Sequence, residues 1–143
     1  MRSRERVIWD LVHQWLVKAN RDLEAARILL EELEHDYEAV GFHAQQAAEK
    51  YLKALFIRHQ VEFPKTHDIR QLLGYLEPLD QTLCKSLMGA SDLTVYGVEF
   101  RYPGDYPSAD KREGSRLLTL AETVSRGVLE HLKTYLHAGP PVG

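Results

Sequence analysis

His43, Gln46, Lys50 and Lys53 recur at three- and four-residue intervals within a stretch of helix-forming sequence. On an α-helix that spacing aligns side chains along one edge, giving a cationic, hydrogen-bonding line. Lys65 and His67 follow in Pro64-Lys65-Thr66-His67-Asp68, at a loop–helix junction where unpaired backbone amides favour anions. Arg101 and Tyr102 come from a second turn-rich segment, Arg101 to Pro107. There the planar guanidinium suits phosphate and the ring can stack. Gathered by a fold, these residues would bind a phosphate or a nucleotide base. The same residues also support a structural reading, in which Lys50 and Lys53 pair with Glu49 or water and His67 merely caps a helix.

The elements that must position them are helical. Apolar residues from Ile8 to Leu33 keep the amphipathic spacing of a helix of about 30 residues, or ~45 Å. An acidic turn around Glu34 and Asp36 separates it from a second helix, from about Glu38 to Gln60. On that helix Val40, Ala44, Ala47, Ala48, Tyr51, Ala54 and Leu55 form one broad apolar stripe. Phe42, Leu52 and Phe56 fall on nearly the opposite side, so the helix has two apolar faces and is central, self-associating, or both. We expect a packed inner face and a dimer face through Phe42, Leu52 and Phe56.

Thr66 or Asp68 caps a short third helix, Ile69 to Leu76, and Asp68 with Gln71 resembles a capping box. Pro78 suits the first turn of the next helix, whose continuity is interrupted near Gly89 and Thr94-Val95. Ser108 is expected to cap the last helix, with Asp110 in its first turn and a seam of Leu117, Ala121, Val124, Val128, Leu132 and Tyr135. No strand pattern competes. The expectation is one all-α domain over residues 1–143, an up-and-down antiparallel bundle of four to five helices with a core of about 7–137 and a frayed tail over 138–143.

Composition limits the function classes. The net charge is −3, from 18 basic and 21 acidic residues, so any nucleic-acid contact must come from a local site. The charged N-terminus lacks the apolar core of a signal peptide, and no run reaches the ~18–20 apolar residues of a membrane span. The single cysteine, Cys84, excludes an intrachain disulfide and a multi-cysteine zinc site, and its apolar surroundings suit an inert buried thiol. A cytoplasmic protein without cofactor or metal is expected.

The segments His43-Ala44-Gln45-Gln46-Ala47-Ala48-Glu49-Lys50-Tyr51-Leu52-Lys53-Ala54, Lys65-Thr66-His67-Asp68-Ile69 and Arg101-Tyr102-Pro103 resemble the HEPN family, helical domains named for higher-eukaryote and prokaryote nucleotide binding. The resemblance spans roughly Val17 to Leu136. It implies a helical bundle, commonly dimeric, often paired with a small nucleotidyltransferase, with some members acting as toxins of toxin–antitoxin pairs. A subset are metal-independent ribonucleases with an arginine, four to six residues, then a histidine.

Arg126 and His131 match that pattern here, as cation and general base for RNA cleavage. On a regular helix, however, the two side chains diverge by about 140°. His131 falls near the Val124–Val128–Tyr135 seam, and Arg126 roughly opposite. A distortion at Gly127 or a dimer contact would be needed to join them. A third reading takes His43, His67-Asp68 and Asp92 or Asp105 as similar to the ligand order of HD-type metal phosphohydrolases, although His67-Asp68 opens a helix instead of lying within one.

Overall fold

The computed structural model describes residues 1–97 and 108–143. Its elements are α1 (Arg4–Glu32), α2 (Glu38–Arg58), α3 (Ile69–Leu76), α4 (Gln81–Leu87), a 3-10 segment (Met88–Tyr96) and α5 (Lys111–His137). Among the described residues there is no strand, and the all-α bundle is as expected.

Local chemistry sets the helix ends. Ser3 starts α1 earlier than the apolar pattern alone indicates, because its hydroxyl accepts from the Arg6 amide at 3.1 Å. Asp36 takes a left-handed φ of 60° in the turn to α2, a conformation aspartate tolerates. Asp68 caps α3, accepting from the Arg70 and Gln71 amides, and the Asp68 amide donates to Thr66 Oγ1. Two expected starts are corrected. Asp80, not Pro78, begins α4: its carboxylate accepts from Leu83, and Pro78 lies in the preceding turn. Asp110, not Ser108, caps α5 by accepting from Glu113 at 2.8 Å, which places Ser108 outside the helix.

The core centres on α2, which packs against α1, α3, α5 and the 3-10 segment. Its small residues Gly41, Ala44, Ala47, Ala48 and Ala54 let neighbouring helices approach closely. Leu52 and Phe56 are fully buried. This corrects the expected dimer face: the chain folds back after α2, so that Phe63 and Tyr75 lie 5.6 and 6.5 Å from the Phe56 ring. The second apolar face of α2 serves the chain's own core, and of the three residues only Phe42 stays half-buried. Cys84 is buried and donates to the Leu73 carbonyl, and burial pushes its thiol up, as its apolar neighbours suggest. No helix among the described residues is long and apolar enough to cross a membrane.

Candidate functional site

Two carboxylates organise the polar edge of α2. Asp22, on α1, accepts from His43 Nδ1 at 3.0 Å and also from Lys50 Nζ, so it sits between two of the expected anion-binding residues. One turn further along, Glu49 accepts from Lys53 Nζ at 2.8 Å and from His67 Nδ1 at 2.7 Å. The result is two histidine–carboxylate–lysine groups side by side.

The second group is the more deeply built. The Glu49 side chain is 3 % exposed, whereas that of His67 is 61 % exposed. Gln45 lies beneath them, fully buried, donating to Glu49 and to the His67 carbonyl, while its own oxygen accepts from Gln46. Gly97 closes over this amide: a Cβ there would stand 2.7 Å from Gln45 Cδ. Burial works to raise both carboxyls, but the hydrogen bonds outweigh it. His43 and Lys50 hold Asp22, and Lys53 and His67 hold Glu49, below the ordinary carboxylate range.

An aromatic ring joins the two helices at this edge. Lys53 Nζ lies 5.2 Å and Lys18 Nζ 5.5 Å from the centre of the Trp15 ring, and Lys53 is also 5.9 Å from that of Phe63. Lys65 is exposed in the loop between Phe63 and His67. Lys18, Lys50 and Lys53 therefore lie along this edge with the two carboxylates, on a chain of net charge −3. Arg101 and Tyr102 lie outside the described residues.

Pairing of Lys53 with Glu49 was legible at i,i+4, whereas Lys50 turns to Asp22 instead of Glu49. The role of Asp22 was not legible, because it depends on how α1 docks against α2. Trp15 was equally hidden, reading as an ordinary seam residue.

Arg126 and His131 have separate partners. The exposed Arg126 guanidinium donates to Thr123 Oγ1 at 3.4 Å. His131 Nδ1 donates to Asp80 at 2.9 Å, and its Nε2 faces His59 Nε2 at 2.8 Å. Gly127 permits close packing of α5 on α4, where a Cβ would stand 2.6 Å from Leu83 Cδ1. It sits in an unbroken helix, so the distortion that would join Arg126 to His131 is absent. The HD-type set does not assemble among the described residues either: His43 bonds Asp22, Asp68 caps α3 and Asp92 pairs with Arg116. Asp105 lies outside them.

The HEPN domain model matches residues 12–132. A crystal structure of TT1696 from Thermus thermophilus is similar, with 31 % identity and a TM-score of 0.69 over 83 % of this chain and 96 % of that one. The structure of ST0689, an archaeal HEPN homologue, shares the fold at 23 % identity and a TM-score of 0.66, over 85 % of this chain and 97 % of that one. No functionally curated protein matches. With nearly the whole bundle covered by the match, this chain belongs to the HEPN domain family.

Proposed function

We propose that this chain is a cytoplasmic nucleotide- or RNA-binding subunit that recognises phosphate on the α1–α2 edge. The observation that carries this reading is that His43 and Lys50 meet on Asp22 and Lys53 and His67 meet on Glu49 along the polar edge of α2, with Lys53 also over the Trp15 ring. Each lysine ammonium has three N–H donors and gives one to a carboxylate, which leaves donors for phosphate oxygens. Trp15 holds the Lys18 and Lys53 ammonium groups at this edge.

In the test, a fluorescent adenine nucleotide and a short single-stranded RNA are titrated at low and high salt. Lys50→Ala and Lys53→Ala should each weaken binding about 5- to 30-fold, with a smaller salt dependence. Unchanged isotherms in both variants would overturn the site. Family membership further supports self-association and pairing with a minimal nucleotidyltransferase. Light scattering and co-purification of the two proteins test those two claims separately.

The ribonuclease-toxin reading has one observation in its favour. Asp80 fixes the His131 tautomer by taking the Nδ1 proton in a hydrogen bond, which directs the basic lone pair to Nε2. In that reading His131 is the base and Arg126 supplies the cation across a dimer. Purified protein should then cleave RNA without metal, and His131→Ala should abolish the cleavage. Cleavage retained in that variant rejects the assignment.

A further inference from the structure

The outward face of α1 carries a pattern that the polar edge does not use. Val17 is 49 % and Ile28 52 % exposed, the highest values among the large apolar side chains of α1. Eleven residues at ~100° each make three turns plus about 20°, so the two share one face. Arg21 and Glu24 lie between them on that face, with His13 and Gln14 before Val17 and Glu31 and Glu32 after Ile28. One half of the stripe is therefore cationic and polar around Val17, and the other half is anionic around Ile28.

Beside the first half, α5 leaves a depression against α1. Leu16, Val17 and Leu129 line it over the buried Tyr51 ring, Arg21 stands at its edge, and no carboxylate lies in its wall. On α5, Arg126 and Lys133 sit one turn before and one turn after Leu129, both exposed, and extend the positive border. The anionic half is equally open to a partner. Within its own chain Glu24 pairs with Arg27 at 3.5 Å, but Arg27 is bound more closely by Glu122 at 3.1 Å, which leaves Glu24 available to a second cation.

We propose that this face is the contact between two copies of the chain, which pair antiparallel along α1 about a twofold axis between Asp22 and Leu23. The proposal rests on the reading that the chain self-associates, and it names the surface and the register. In that register Val17 meets the partner's Ile28, Arg21 meets the partner's Glu24, and Gln14 meets the partner's Glu31. The partner's Ile28 enters the depression beside Leu129, and its flanking carboxylates turn toward Arg21, Arg126 and Lys133. Each contact occurs twice, because a twofold interface uses the same patch on both copies. A parallel pairing would set Arg21 against Arg21 and Glu24 against Glu24, so charge selects the antiparallel one. Lys18 lies a quarter turn off this face, over the Trp15 ring, so the anion edge stays open in the dimer.

Sedimentation equilibrium of the full chain at micromolar to submillimolar concentration should give a dimer. Val17→Glu, at an exposed position, should fold with an unchanged helical signal and weaken dimerisation at least about 10-fold, since the new carboxylate meets the partner's acidic half twice. Arg21→Glu and Glu24→Arg should each weaken it about 10-fold, and the two together should restore it, because the reversed pair is again complementary. A Val17→Cys chain mixed with an Ile28→Cys chain should form a disulfide between them under mild oxidation, while neither should link to itself. A dimer that Val17→Glu and the single charge reversals leave intact overturns this surface and leaves self-association standing. A wild-type chain that stays monomeric overturns both, whether or not that monomer takes a different protein on the same face.

Discussion

Glu49 is almost completely buried and still ionised, because three side chains donate to it: Lys53, His67 and Gln45. Such a group costs desolvation energy and is tolerated only while its partners are in place. Its depressed carboxyl ties stability to pH with a defined sign. The unfolded chain binds the proton more readily, so the contribution is complete above the ordinary glutamate value of 4.5 and is lost as pH falls below it. Asp22 adds the same trend lower on the pH scale, from its ordinary value of 3.8 downward. Thermal melts of the wild type and Glu49→Gln across acid pH should show the wild-type Tm falling more steeply. Parallel curves would mean that Glu49 carries no linked proton.

At the scale of elements, α2 is held by close approach as much as by apolar area. A Cβ at Gly41 would stand 2.6 and 2.7 Å from Tyr96 ring atoms and 2.9 Å from Leu117 Cδ1. Tyr96 is 3 % exposed and has little room to retreat. Gly41→Ala therefore should destabilise by about 1–3 kcal/mol despite the better helix propensity of alanine. Chemical denaturation measures this, and a neutral or stabilising result would show that the 3-10 segment yields easily. Helix boundaries divide in an instructive way. The range of α3, Ile69–Leu76, is readable because the apolar run is short and both candidate caps, Thr66 and Asp68, stand just before it, with Asp68 taking the cap. Pro78 and Ser108 were the expected starts of α4 and α5, and an aspartate, Asp80 or Asp110, follows each of them. In both places the aspartate nearer the helix takes the cap.

For the whole molecule, the burial of Leu52 and Phe56 separates folding from assembly. Phe56→Ala should cost about 3–5 kcal/mol of stability, as a core truncation does. In the folded fraction, light scattering should give the same mass as for the wild type. A change of oligomeric state without loss of stability would return Phe56 to an interface. Self-association, where it occurs, must use other surfaces, and α1 leaves Val7, Leu11, Val17 and Ile28 exposed.

The amino-acid sequence by itself determined the helical class, the central place of α2, and the cationic edge from His43 to Lys53. Those features are periodic, and periodicity is carried by neighbours along the chain. It also showed that Arg126 and His131 diverge, since a regular helix fixes the angle between them. What it left open was which face of α2 meets solvent, because two apolar faces look alike until the chain after α2 folds over one of them. Tertiary structure alone brought Asp22 to His43 and Lys50, His67 to Glu49, and Asp80 and His59 to His131. These pairings join residues 18 to 72 positions apart, and only helix packing sets such distances.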